Sequence, residues 1–199
     1  MRKDDLMATN KFGVGVRKMM IFPLATEPDN AKPTYNAALD IGDTNAIKAS
    51  PSTANATADG DDKQVANISM VTGWSVEWTG WGVPAETAGT LYGHTLSGTG
   101  TKQVDEKMED IAPYVGIGYL RTMADKTNKK TFVAYFYYKA QAVQGDEEST
   151  SGGSSLNLAS TTVTFNAIEP SYGATRSYEE FDTEEAAVTW LKTQAGQEG

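Results

Sequence analysis

Alternation of apolar and polar residues at a period of two, the pattern of a half-buried strand, dominates this chain. Residues 68–81 carry it most cleanly: Ile68, Met70, Trp74, Val76 and Trp78 fall on one parity, Ser69, Ser75, Glu77 and Thr79 on the other. Residues 13–23 form an extended run rich in β-formers, with Pro23 closing it. Residues 114–120 predict a further strand, where Gly116 and Gly118 leave room for a bulge or a close backbone approach. In 131–143, Phe132, Ala134, Phe136 and Tyr138 alternate with Thr131, Val133, Tyr135, Tyr137 and Lys139. Neither set is strongly polar, so both faces of that strand are expected to be covered. Residues 156–168 are Thr-rich, and their apolar parity switches from Leu156 and Leu158 to Val163 and Phe165, as at a bulge or a crossing between sheets.

Helical signals are short. Residues 84–92 begin with Pro84 in the first turn and stop at Gly93. Asp182-Thr183-Glu184-Glu185 reads as a capping box with Asp182 as the cap; Ala187, Trp190 and Leu191 make an apolar stripe, and Gly196 is the stop. The expected fold is therefore mainly β, a sandwich or barrel-like single domain over 1–199 with a short flanking helix and a C-terminal helix at 182–196. An N-terminal arm covers 1–12. Two polar segments, 43–67 and 144–155, read as long loops, the first containing the turn Asp59-Gly60-Asp61-Asp62. Loops of this length usually serve a function or are ordered by a partner.

Composition narrows the chemistry. The 199 residues include no cysteine and one histidine, which excludes disulfides, thiolate metal sites, cysteine nucleophiles and His-rich relays. The net charge of -9 argues against a surface that grips nucleic acid by neutralising phosphates. No apolar run approaches the ~20 residues of a membrane span, and the charged start Met1-Arg2-Lys3-Asp4-Asp5 lacks a secretion signal, so a soluble protein made in a reducing cytosol is expected. Gly13-x-Gly15 lacks the third glycine of a dinucleotide loop, and Asp59, Asp61 and Asp62 lack the EF-hand ligand order, leaving a solvated turn. His94, after Gly93, is placed to bond the last carbonyls of its helix. Trp74, Trp78 and Trp81 read first as core aromatics and alternatively as the sugar-stacking platform of a carbohydrate-binding β-sandwich. No carboxylate pair converges on a cleft, so neither enzyme activity nor a cofactor or metal is expected.

In order and spacing, several stretches resemble a major tail protein, the tail tube subunit of long-tailed bacteriophages. Residues 14–24 are similar to its opening strand, and Ala58-Asp59-Gly60-Asp61 to its Ala-Asp-Asp turn before a second long strand. Val83-Pro84-Ala85-Glu86 leads to Leu91-Tyr92-Gly93-His94, like the family's apolar-Pro-apolar-Glu start and Leu-Gly-His end. Residues 111–118 resemble its Ala-Pro-Tyr strand, and Phe136-Tyr137-Tyr138-Lys139 with the following acidic loop its late hairpin. The match covers roughly residues 12–168; Gly89 within the first helix and the C-terminal helix lie outside the pattern.

The resemblance implies a tail-tube fold that closes into homo-hexameric rings through shared sheet edges. The rings stack into a hollow virion tube through which DNA passes without specific binding, alongside the tape measure, terminator and distal tail proteins. It implies residence in the host cytoplasm before assembly and no membrane anchor. Candidate inter-subunit contacts are the basic arm residues Arg2, Lys3, Lys11, Arg17 and Lys18, expected to meet an acidic surface on the next subunit, and the acidic Asp59, Asp61, Asp62, Asp146, Glu147 and Glu148. Glu77, opposite the Trp face of its strand, is the candidate lumen-facing carboxylate.

Overall fold

The computed structural model describes residues 10–60, 62–97, 103–145 and 159–197. Its strands are β1 (Phe12–Thr26), β2 (Thr34–Tyr35), β3 (Leu39–Asp40), β4 (Asp43–Gly60), β5 (Lys63–Trp81), β6 (Thr95–Ser97), β7 (Gln103–Asp105), β8 (Tyr114–Ala124), β9 (Lys130–Val143), β10 (Thr161–Ala167) and β11 (Arg176–Phe181). Helix α1 (Ala85–Tyr92) follows β5, and α2 (Glu184–Gln194) follows β11. One large antiparallel sheet runs β2-β1-β8-β9-β10-β5-β4, with β3 added to β1 and β11 to β9; β6 and β7 pair separately. The sheet curls until β1 and β4 approach each other without a ladder between them, giving a mainly β, sandwich-like body.

Strand β9 explains the layering. Its central residues are buried on both sides, as their sequence predicts. Ala134, Phe136 and Tyr138 join Phe22, Tyr35 and Leu120 under Ala187, Leu191 and Ala195 of the C-terminal helix. Tyr137 instead faces the main core with Ile21, Ile41, Val76, Trp78, Leu91, Ile117 and Phe165. Between Tyr137 and Ala140 the strand carries one more residue than its partner β8, whose Val115 and Ile117 pair with Ala140 and Tyr137. This bulge lets Ala140 and Ala142 turn to the main core too. It also sits where the outer edge of β9 passes from β11 to β10: Tyr138 N donates to Thr175 O, and Lys139 O accepts from Ile168 N.

The glycines of β8 allow the close approach expected of them. A Cβ on Gly116 would stand 2.7 Å from the Tyr35 ring, and one on Gly118 3.0 Å from Leu191. Tyr35 uses this space to donate its hydroxyl to Tyr138 O at 2.5 Å, and burial raises its pKa. At the same end, Glu27 accepts from Lys139 Nζ at 2.6 Å and from Ser171 N at 2.9 Å. The Lys139 ammonium holds the Glu27 carboxyl below its usual pKa.

Several boundaries differ from the sequence reading. Pro23 does not close β1: it pairs with Val115, its carbonyl accepts Asn36 N, and the strand runs on to Thr26. The proline is tolerated because no inner partner needs its missing N–H. Pro84 occupies the N-cap of α1 rather than its first turn, while Gly93 ends the helix in the left-handed region at φ 77°, as expected. The cap of α2 is Thr183, not Asp182; its extended backbone brings Oγ1 to accept Ala186 N at 3.3 Å. Gly196 stops the helix at φ 68°. The largest departure is 43–67, which is no loop. It forms all of β4 and the start of β5, with Asp62 in a turn before β5, because the ladder to β5 supplies the order that its small polar residues do not signal. Of the second expected loop, Gln144 and Gly145 follow β9, and 146–155 lie outside the described residues, as do Leu156 and Leu158.

Candidate assembly surfaces

The β4–β5 hairpin has a supported root and an unsupported tip. From Trp74 to Gly80, β5 pairs with β10 on one edge and β4 on the other. Beyond Gly73 only β4 remains, and the two strands project as a ribbon of eight residue pairs, roughly 27 Å at the rise of an extended chain. Its described residues are exposed, apart from half-buried Ala66.

The ribbon is nonetheless two-faced. Residues directly opposite in an antiparallel pair share a face. Ala54 pairs with Met70, Ala56 with Ile68 and Ala58 with Ala66, making one apolar face. Thr53 with Val71, Asn55 with Ser69 and Thr57 with Asn67 make the other, which is mostly polar. Met70 is 65% and Ile68 59% exposed, so the apolar face is bare. Ile68 and Met70 do not continue the inward face of Trp74, Val76 and Trp78, as their shared parity predicts. Ser52 pairs with Gly73 but Thr53 with Val71, so Thr72 is a bulged residue that reverses the alternation.

A second feature lies in the seam between the sheet's two ends. Gly13, Gly15 and Val16 of β1 face Asn45, Ala46, Ile47 and Ala49 of β4 across a cleft of about 510 Å³, floored by Tyr119, Arg121, Tyr135 and Arg176. A larger cleft of about 820 Å³ is lined by Met20, Leu39, Asp40, Asp43, Trp81 and Val188. Its rim carries Arg17, 2.9 Å from Glu184 Oε2, and Lys18, 3.6 Å from Glu184 Oε1.

The predicted contact residues therefore scatter. The basic residues Lys11, Arg17 and Lys18 do meet acidic groups, but on their own chain: Lys11 pairs with Glu180, lowering that carboxyl's pKa, and the other two with Glu184. The reason is β11 and α2, whose carboxylates flank β1 and which the sequence reading did not place there. Asp62 stands in the hairpin turn at φ 61°. The side chains of Asp59 and Asp61 lie outside the described part, as do Arg2, Lys3, Asp146, Glu147 and Glu148. Glu77 is exposed on the outer face of β5 but directly opposite Lys48.

The tryptophans do not form a common platform. Trp78 is fully buried, its Nε1 donating to Thr44 Oγ1 at 3.0 Å; Trp74 lies under the Arg176 guanidinium at 3.9 Å; Trp81 is exposed in the larger cleft. His94 does not cap helix carbonyls with its ring. Its backbone N–H bonds Gly89 O, while Nδ1 lies 2.9 Å from Asp110 Oδ2. That contact lowers the Asp110 pKa and ties the segment after β7 to the end of α1. Among the described residues, no group of three or more His, Asp or Glu could hold a metal ion, and no helix is long and apolar enough to cross a membrane. The chain matches no protein-family model and no curated protein sequence.

Proposed function

We propose that this chain is a structural subunit that assembles with copies of itself into stacked hexameric rings, the tail tube of a long-tailed phage. The bare apolar face of the β4–β5 ribbon carries this reading. A two-stranded ribbon is marginal alone in water, and an apolar patch on it marks a contact surface. Burying Ile68 and Met70 on a neighbour is worth roughly 1.5–3 kcal/mol each before the costs of association. Strand β4 ends the sheet order, so among the described residues no strand pairs with its outer edge, which ring closure would satisfy. The motif order over residues 12–168 supports the same reading.

Within the tube, DNA would pass a wall of net negative character, since neutralised phosphates would hold it back. Glu77 fits that wall less well than its sequence position suggests, because Lys48 offsets it. The proposed setting is the virion tail, assembled beside tape measure, terminator and distal tail proteins. Negative-stain microscopy of the concentrated protein tests the proposal. Rings or tubes of uniform bore are expected; a monodisperse monomer at every concentration and salt would end it.

A further inference from the structure

Among the described residues, the lining of the seam cleft holds two arginines and no carboxylate. Elsewhere near β1 the pattern is the opposite: Lys11, Arg17 and Lys18 each have an acidic partner. Arg176 is caged by aromatic rings, with its guanidinium carbon 3.9 Å from the Trp74 ring centre and about 5.6 Å from those of Tyr135, Tyr137 and Tyr178. It donates to Tyr137 Oη at 3.3 Å and has no ion-pair partner among the described residues. The cage fixes the guanidinium without neutralising it. Arg121 lies against the backbone of Gly13: a Cβ there would stand 2.6 Å from Nη2. Gly13 thus leaves room beside β1 for a second guanidinium, whereas a Cβ on Gly15 would meet nothing. Tyr119 completes the floor, its pKa raised by burial.

Two guanidinium groups lining one cleft, Arg176 caged and Arg121 exposed, suit a planar oxyanion, which they would bind through paired, charge-assisted hydrogen bonds. The group complementary to this local positive charge is an anion, and the chain itself carries carboxylates in concentrated form. The densest acidic run is Asp146-Glu147-Glu148. That run follows Gly145, which lies beyond the end of β9 and beside Thr162.

We propose that the seam cleft between β1 and β4 is a carboxylate-binding site that receives the acidic run Asp146-Glu147-Glu148 of a second copy of this chain. The inference rests on the assembly reading and adds to it a defined lock between subunits.

Two measurements test it separately from that reading. In the first, the full-length monomer at low salt is titrated with the peptide Gln-Gly-Asp-Glu-Glu-Ser-Thr while tryptophan fluorescence is followed, since Trp74 lies under Arg176. A saturable change is expected. It should weaken about tenfold or more in Arg121→Gln and vanish in 0.5 M salt. No saturable change, or an unaltered one in Arg121→Gln, overturns the site whether or not the protein forms tubes. Saturation by a DNA oligonucleotide but not by the peptide overturns it too. In the second, Arg121→Glu should reduce assembly, and combining it with Asp146→Lys, Glu147→Lys and Glu148→Lys should restore it. Normal assembly of Arg121→Glu at low salt would remove the lock and leave the tube reading standing.

Discussion

The two ends of β5 contain the same kinds of residue in opposite circumstances. At the root, Val76 and Trp78 are completely buried between β4, β10 and the rest of the main core. At the tip, Ile68 and Met70 sit on an equally regular ladder and stand in water. Both ends carry the alternation of a half-buried strand. Alternation reports that one face will be covered; whether the cover belongs to the same chain is set by where the neighbouring strands end. Here β10 stops at the level of Trp74, and a single bulge at Thr72 turns the apolar face outward beyond it.

The contrast is sharpest if each end is perturbed in turn. Trp78→Ala removes the largest fully buried side chain and orphans the Thr44 hydroxyl, so the body should lose about 3–5 kcal/mol, read from urea unfolding. A loss under 1 kcal/mol would mean that the root is no better packed than the tip. Thr183→Ala removes the cap of the helix that closes the second core and should cost about 1 kcal/mol in the same assay. Arg17→Ala with Lys18→Ala breaks exposed pairs to Glu184; the expected loss is at most about 1 kcal/mol and shrinks as salt is raised.

Acid should act on the body through its paired carboxylates. The lowered pKa of Glu27, beside Lys139, means that its contribution is complete above the ordinary carboxylate range. It is lost as the pH falls through the lowered folded-state value. Thermal unfolding followed from pH 6 to about pH 3 should therefore show a declining midpoint, and Glu27→Gln should make the decline shallower. A slope unchanged by Glu27→Gln would show that this ion pair does not hold the bulged end of β9.

Much of the body was legible in the sequence. The two-sided burial of β9, the close approach at Gly116 and Gly118, and the left-handed stop at Gly93 all follow from local residue chemistry. What was not legible depends on long-range pairing. The 43–60 stretch is mostly Ala, Thr, Asn and Ser, with no alternation of its own, and becomes β4 because β5 offers it a partner. The apolar face of the ribbon could be seen only after the register was known, since Ala54, Ala56 and Ala58 acquire meaning from Met70, Ile68 and Ala66 across from them. The sequence marks Lys11, Arg17 and Lys18 as pairing groups. That Glu180 and Glu184 would supply their partners required knowing that β11 joins β9 and that α2 packs behind it.

The decisive experiment compares the two faces of the ribbon. Ile68→Asp with Met70→Asp charges the apolar face, and Thr57→Asp with Ser69→Asp charges the polar one at the same depth. Neither pair should alter the stability of the monomer by more than about 0.5 kcal/mol, because the positions are exposed. Sedimentation of the concentrated proteins should then show assembly abolished in the first and retained in the second. Assembly that survives aspartates at both Ile68 and Met70 would contradict the central claim that this bare face is where the next subunit packs.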